Sequence, residues 1–530
     1  MGHRHEGPLL TAPAVRIAGA LLLAVLAGCA SLPPVAVRAP SSAFLDTRDT
    51  SLGRIAAASL SEAGRSESGF RLLPTGDFAL DARLELARRA ERSIDAQYYY
   101  VQRDSVGLQF LRELRNAAQR GVRVRLLVDD LYTAGGDELF HSLATIPNVE
   151  IRFFNPLPSR RASVSGRLLF SLHEFDRINH RMHNKLFIAD NRMSISGGRN
   201  MSNEYFMRSA HANFIDLDVL AAGPVVRELS GVFDGYWNSD YAYPATSVVS
   251  TAGDASHGPG RFDHLAIDIG PTLELKTIDP LNPVSVAAEL SAGKISLTPA
   301  QASVLADSPA KVVRRDRGEH VSTVTRSVLE AFGEARGEIR IASPYFIPGQ
   351  EGLTVLTGAI ERGVRIRVMT NGFGATDEPL VHQRYSHYRR EMLRAGLDLY
   401  ELRPDPAHDA ANLGNFGSSS ARLHAKVAII DSKTVFIGSM NLDPRSTWSN
   451  TEMGLLIESE KLAGQIKSVL RNDRNASLYR LRLASNGESI EWVATDSSGA
   501  TRVIRDEPDS HWLLRLKTFL LQPFISEDLL

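Results

Sequence analysis

The sequence predicts an α/β protein made of two copies of one domain, each a mixed, mostly parallel sheet flanked by helices. Short β-branched and apolar runs alternate with segments of helical periodicity, the pattern of layered strand–helix–strand units. Segments of the first half recur in the second at a displacement of 242 residues (Arg120-Gly121 and Arg362-Gly363), and a polar pattern centred on histidine recurs at 241 (His183 and His424). A displacement that steady marks a duplicated domain. At 530 residues, with 43% hydrophobic and 23% charged residues, the chain is long enough for two full cores and ordinarily globular in composition.

Arg4 and Arg16 precede an apolar run over residues 17–27, of signal-peptide length and short for a bilayer span. It ends in Leu26-Ala27-Gly28-Cys29, which resembles a bacterial lipobox and implies cleavage before Cys29 and lipidation of its thiol; the plainer alternative is a signal peptide with an incidental cysteine. Cys29 is the single cysteine, so no disulfide forms within the chain. Ala30 follows it rather than Asp, which by analogy with lipoprotein sorting favours the outer over the inner membrane and places the protein in the cell envelope, facing the periplasm. Residues 30–69, rich in Pro, Ala and Ser, read as a tether.

The first copy is expected over 70–240. Thr75-Gly76-Asp77 offers an N-cap for a helix over 78–91 with Leu80, Leu84 and Ala87 on one face. A strand over 93–100, a helix over 107–119, a strand over 122–128, a helix over 137–145 and a strand over 149–154 follow. Residues 241–320, rich in Gly, Pro, Ser and Ala, read as a connector, partly ordered as a cap. The second copy, over 321–470, repeats the plan: Ala90-Glu91-Arg92-Ser93-Ile94-Asp95 returns as Ala335-Arg336-Gly337-Glu338-Ile339-Arg340, and Tyr98-Tyr99 as Pro344-Tyr345-Phe346, aromatics that either line a pocket or fill the core. The stretch 471–530 contains a hairpin (489–494 and 501–504) and an amphipathic tail (512–525) that either rests on lipid headgroups or packs on the body.

Each copy carries His-x-Lys-x4-Asp: His183, Lys185 and Asp190, then His424, Lys426 and Asp431. Two residues apart in an apolar run, imidazole and ammonium would point to one face of a strand, pairing a base or nucleophile with an anion clamp. Gly197-Gly198-Arg199-Asn200 and Gly438-Ser439-Met440-Asn441 follow, each asparagine seventeen residues after its histidine. Glycine lets backbone approach a ligand closely, and an amide side chain offers a donor to an oxyanion. Asp190 and Asp431 lie an odd number of residues from their histidines and read as structural salt-bridge or turn partners rather than proton carriers.

The doubled pattern resembles the phospholipase D superfamily, whose members join two such half-sites into one active site. Within it the chain is most similar to bacterial cardiolipin synthases of the C type, on Arg181-Met182-His183-Asn184-Lys185, Gly197-Gly198-Arg199-Asn200 with Asn203-Glu204-Tyr205-Phe206, Asp216-Leu217-Asp218-Val219-Leu220 and the closing Glu527-Asp528-Leu529-Leu530. The resemblance implies that His183 attacks phosphorus to give a phosphohistidine while His424 serves as acid and then base, with Lys185, Lys426, Asn200 and Asn441 on the phosphoryl oxygens. Glu452 in the second half and its counterpart Asp216 in the first are the carboxylates that would engage the histidines' other nitrogens. Gly197, Gly198, Gly438 and Ser439 shape the backbone, and no metal or cofactor is implied. The implied reaction is phosphatidyl transfer to phosphatidylglycerol at a membrane surface, from a second phosphatidylglycerol or from phosphatidylethanolamine. Three alternatives stand beside it. A phospholipase D would release the same intermediate to water as phosphatidic acid. A nuclease is disfavoured by the net charge of −1 and the duplicated chain, so no nucleic-acid partner is expected. A non-enzymatic lipid-binding lipoprotein would be expected to lack one of the His or Lys residues, and neither half does.

Overall fold

The structure is a computed structural model that describes residues 38–60, 66–157, 163–170, 174–249, 260–266, 281–313, 322–404, 420–470, 477–496 and 498–509, with the single positions 64 and 279. The expected leader, Cys29 and the amphipathic tail over 512–525 lie outside the described residues.

The main elements of the first half are α1 (Ser51–Ser59), β1 (Ser68–Leu73), α2 (Gly76–Arg89), β2 (Ser93–Tyr98), α3 (Ser105–Gln119), β3 (Arg123–Asp129), α4 (Asp137–Ala144), β4 (Val149–Phe154), β5 (Leu186–Ala189), β6 (Met193–Gly197), β7 (Ala212–Ile215), β8 (Asp218–Ala222), α5 (Pro224–Trp237) and β9 (Ala242–Pro244). β2, β3 and β4 run parallel, with Ser93 opposite Arg123 and Val124 opposite Val149. The crossovers that parallel pairing requires are α3, capped by the Asp104 carboxylate on the Gly107 amide, and α4. Leu80, Leu84 and Ala87 of α2 and Leu108, Leu111 and Ala118 of α3 are buried, each large apolar side chain contributing roughly 1.5–3 kcal/mol. The parallel character is confined to these strands. β5 and β6 are joined by the tight Asp190-Asn191-Arg192 turn, too short for a crossover, so the sheet continues antiparallel through β2–β5–β6–β8–β1.

The chain then forms β10 (Thr298–Ala306), α6 (Thr323–Glu334), β11 (Glu338–Ala342), α7 (Gly349–Glu361), β12 (Arg365–Asn371), α8 (Pro379–Ala395), β13 (Asp398–Leu402), β14 (Ser420–Leu423), β15 (Val427–Ile430), β16 (Thr434–Gly438), β17 (Met453–Glu458), α9 (Glu460–Val469), β18 (Leu478–Leu483), β19 (Ile490–Thr495) and β20 (Thr501–Ile504). β11, β12 and β13 repeat the parallel core, β15, β16 and β17 the antiparallel extension, and β18–β19–β20 add a meander at the far edge.

Two segments differ from their expected roles. The described part of the connector includes a strand, β10, that pairs with β1 (Ser68 opposite Ala300) and with β17 (Ala306 opposite Met453), welding the two half-sheets into one sheet of 18 strands. Within the expected tether, residues 38–60 pack on the body. Leu52, Ile55 and Ala56 at helical spacing bury one face of α1, Thr50 caps it, and Arg125 binds the Ser41 carbonyl at 2.8 Å.

Candidate active site

The first half of each motif is not on the strand that follows it. His183 and Lys185 lie in the extended segment before β5, and His424 and Lys426 between β14 and β15. What fixes these segments comes from the opposite half. The His183 amide donates to the Thr451 carbonyl (3.0 Å), and the Thr451 amide to the Arg181 carbonyl (2.9 Å). Symmetrically, β14 pairs in parallel with β7, and the His424 amide donates to the Ile215 carbonyl (2.8 Å). Thr451 precedes Glu452 and Ile215 precedes Asp216, so the backbone pairing that anchors each histidine also delivers a carboxylate from the other copy.

The side chains follow that exchange. Nδ1 of His183 lies 3.0 Å from Glu452 Oε2 and 3.1 Å from Oε1, and Nδ1 of His424 lies 2.7 Å from Asp216 Oδ2. Lys185 Nζ donates to the His183 carbonyl at 2.6 Å, and Lys426 Nζ to the His424 carbonyl at 2.6 Å, 3.0 Å from that ring's Nδ1. The carboxylates are held unequally. Glu452 accepts the hydroxyls of Ser439 (2.5 Å) and Ser446 (2.8 Å), whereas Asp216 accepts its neighbour's amide, Leu217 N, at 2.8 Å. Gly198, the counterpart of Ser439, must be glycine here, since a Cβ would sit 2.2 Å from Asp216 Oδ1. Gly197 and Gly438 are likewise crowded: a Cβ at the first would lie 2.2 Å from Asp218 Oδ1, at the second 2.4 Å from the Met453 carbonyl. Asn200 and Asn441 are both buried; Asn200 Nδ2 donates to the Tyr205 hydroxyl (3.0 Å), and the backbone N–H of Asn441 to Ser446 Oγ (3.2 Å).

Burial sets the charges. It pulls the His183 imidazole down to about 4 against the opposing pull of Glu452, and it holds His424 well below the usual imidazole range, helped by Lys426 and Lys185. Burial also lowers Lys426 to about 8 and Lys185 well below its ordinary value. Burial raises Asp216; in Glu452 the same burial is outweighed by His183, so that carboxyl lies below its usual range. Both imidazoles are therefore neutral at pH 7. With the Nδ1 proton donated to a carboxylate, each Nε2 carries the lone pair, which suits a nucleophile or a base; that of His424 faces Lys426 Nζ at 3.1 Å.

Aromatic rings line one side. Tyr99 packs edge-on against His183 (centroids 5.1 Å) and meets Tyr132, which is 47% exposed and marks the way out to solvent. Tyr205 packs against His424 at 4.9 Å with its hydroxyl 3.4 Å from Nε2, and Phe214 lies 4.9 Å away. Tyr98, by strand alternation, faces the core against Phe110.

A family model described as cardiolipin synthase, phospholipase D-like domain, matches residues 84–237 and 328–474. The chain belongs to that family. It is 36% identical over 454 residues to cardiolipin synthase C of Escherichia coli (strain K12), covering 83% of this chain and 93% of that protein. It is 31% identical to an uncharacterized protein of Helicobacter pylori (strain J99), covering 89% of this chain and 91% of the relative. Its fold is similar to that of the phosphatidylserine synthase of Haemophilus influenzae Rd KW20, with a TM-score of 0.54 at 15% identity, covering 88% of this chain and 96% of that one. It is an enzyme of the phospholipase D superfamily, and the two stretches matched by the cardiolipin synthase family contain both histidines and both carboxylates.

Asp190 and Asp431 take the same place in each half of this synthase-family chain, away from the histidines. Asp190 accepts the amides of Glu91, Arg92 and Ser93 (3.1, 2.7 and 3.0 Å), and Asp431 those of Arg336, Gly337 and Glu338 (3.0, 2.7 and 3.1 Å). They clasp the turns that launch β2 and β11 and form turn contacts rather than ion pairs. Asp129 and Asn371, unremarked in the sequence, clasp the motif segments. Asp129 binds the Arg181 guanidinium at 2.6 Å and the Met182 amide at 2.9 Å; Asn371 bonds both the amide (2.8 Å) and carbonyl (2.9 Å) of Leu423. The 242-residue displacement relates these two positions and was the available signal. Among the described residues, no group of three or more His, Cys, Asp or Glu side chains is arranged to hold a metal ion.

Proposed function

We propose that the chain is a phosphatidyltransferase that makes cardiolipin from phosphatidylglycerol and a second phospholipid, either phosphatidylglycerol or phosphatidylethanolamine. The observation that carries this reading is the 36% identity to cardiolipin synthase C over 83% of the chain; the paired, buried His, Lys and carboxylate sets support its chemistry.

In the first step His183 Nε2 attacks the donor phosphorus; the N–P bond forms as the P–O bond to the headgroup breaks, and His424 gives the departing alcohol its proton. The phosphodiester's own negative charge raises the basicity of the imidazoles; with His183 Nε2 committed to phosphorus, His424 Nε2 takes up from solvent the proton that it gives to the leaving alcohol. In the second step the hydroxyl of phosphatidylglycerol attacks phosphorus, His424 takes its proton, and the N–P bond breaks. Lys185 and Lys426 neutralise the equatorial oxygens throughout. Asn441 is buried with its side-chain oxygen unpaired among the described residues, and its amide is the second half's counterpart of Asn200; the Asn200 donor is engaged by Tyr205 at 3.0 Å and acts on phosphate only once that bond is exchanged.

The lipobox-like Leu26-Ala27-Gly28-Cys29 supports anchoring through Cys29 in the cell envelope, beside the phospholipid substrates. No helix of the described residues is long and apolar enough to cross a membrane.

The test is a product analysis in mixed vesicles of phosphatidylglycerol and phosphatidylethanolamine, resolved by mass spectrometry. Cardiolipin formed by the wild type and lost in His183→Ala and His424→Ala is the expected result. Phosphatidic acid alone moves the assignment to a hydrolase, and no lipid turnover overturns both.

A further inference from the structure

Glu452, the carboxylate on His183, is itself held by the connector between the halves. Asp307 follows β10 directly; its amide donates to the Glu452 carbonyl (2.9 Å) and its Oδ2 accepts the Glu452 amide (3.0 Å). Lys311, one turn further on, directs its ammonium to Asp307 Oδ2 (2.9 Å) and to the carbonyls of Ser446 (2.8 Å) and Asn450 (2.6 Å). Ser322 Oγ donates to the remaining Asp307 oxygen at 2.8 Å, and the Tyr236 hydroxyl, from the first half, to the Asp307 carbonyl at 2.7 Å. Asp307 and Lys311 are 3% and 6% exposed, so nothing here is a solvent-screened surface pair. The segment 446–452 is thus pinned at both ends, and it carries both Glu452 and the Ser446 hydroxyl that orients it.

The first half-site solves the same problem within its own motif. Arg199 of Gly197-Gly198-Arg199-Asn200 binds the carbonyls of Leu73 (3.0 Å), Pro74 (2.8 Å), Tyr205 (3.1 Å) and Asp216 (2.5 Å), tying the carboxylate-bearing turn to the end of β1. The residue at the corresponding position of the second copy is Met440, which has no donor. The cation there is Lys311, five residues beyond the end of β10, the strand that pairs with β17 as β1 pairs with β8.

We propose that Asp307 and Lys311 are positioning residues for the transfer reaction, acting through Glu452 on His183, and that Lys311 supplies in the second copy the cation that Arg199 supplies in the first. The proposal rests on the phosphohistidine reading above. The carboxylate on a reacting histidine sets its tautomer and basicity, and residues that act through that carboxylate are worth about 2–30-fold in rate.

The test compares the full-length wild type with Lys311→Met, the double variant Asp307→Asn/Lys311→Met, and Ser446→Ala, on phosphatidylglycerol in detergent micelles. Lys311→Met alone strands a buried carboxylate and is expected to lower the melting temperature. The double variant removes both charges and should recover it, while kcat stays about 2–30-fold low with KM nearly unchanged. Because Glu452 raises the basicity of His183, loosening it should also move the acidic limb of the kcat profile to lower pH. Ser446→Ala, which leaves every charge paired, should shift that limb the same way. A double variant, or Ser446→Ala, that turns over at the wild-type rate with an unmoved limb overturns the proposal. Absence of phospholipid turnover in the wild type instead overturns the reading beneath it.

Discussion

The carboxylate of Glu452 lies 3.0 Å from Nδ1 of His183 although 269 residues separate them and they belong to different copies of the repeat. Asp216 and His424 make the reciprocal contact at 2.7 Å, across 208 residues. Neither half therefore holds a complete acid–base pair. A double-mutant cycle should show strong coupling between Glu452 and His183 and between Asp216 and His424, and near-additivity for the pairs within each half. Glu452→Gln and Asp216→Asn should each lower kcat by about 10–100-fold. Adding Glu452→Gln to His183→Asn should cost nothing more. Coupling of Glu452 to His424 instead would place the carboxylate on the wrong imidazole.

Tyr205 joins the two half-sites on their aromatic side, its hydroxyl 3.0 Å from Asn200 Nδ2 and 3.4 Å from His424 Nε2. Tyr205→Phe leaves a buried amide donor without its acceptor, a loss worth about 1–3 kcal/mol. If Asn200 turns to the phosphate during turnover, most of that cost falls on the resting enzyme alone. The expected outcome is a lower melting temperature with kcat reduced less than tenfold; a kcat loss as large as that of His424→Ala would make Tyr205 a proton carrier.

The helices and parallel strands of each core were legible because their signals are local. The periodicity placing a helix at 78–91 is met by α2 at Gly76–Arg89, and the strand at 149–154 by β4. β10 was not legible. Its stretch Thr298-Pro299-Ala300-Gln301-Ala302-Ser303-Val304-Leu305-Ala306 has a weak apolar pattern, and its partners lie at least 147 residues away on either side. The repeat pointed to one His, Lys, Asn and carboxylate in each copy but carried no information on which carboxylate faces which ring. That pairing is decided by the Thr451–His183 and Ile215–His424 backbone bonds, which are properties of the assembled sheet.

Asp190 and Asp431 occupy equivalent turns at φ 53° and 52° with equivalent bonds, yet Asp190 is fully buried and Asp431 is exposed. Asp190→Ala removes the acceptor of three amides, of which that of the buried Ser93 is left unpaired, and should destabilise by about 1–3 kcal/mol. At Asp431, water replaces the lost acceptor, and Asp431→Ala should cost about 1 kcal/mol. Asparagine at either position keeps an acceptor and tolerates the left-handed backbone, so both Asn variants should fall between wild type and Ala. Urea denaturation measures the difference; equal costs at the two sites would mean that burial is not what sets them.

His183 also ties stability to pH. In the unfolded chain an imidazole titrates near about 6.5, whereas burial holds the folded His183 down at about 4. Between those values the unfolded chain binds more protons than the folded one, so stability rises with pH across that window and levels off above it. Wild type should accordingly lose stability relative to His183→Asn as the pH falls, by about 2 kcal/mol between about pH 7 and pH 5. In the wild type above pH 5, Glu452, lowered by His183, stays ionised; in His183→Asn burial meets less opposition, and any proton Glu452 then takes up widens the difference in the same direction. The measurement is chemical denaturation of both proteins at half-unit steps. A difference that stays flat would mean that His183 is hydrated enough to titrate as it does in the unfolded chain, and that burial is not what keeps it neutral.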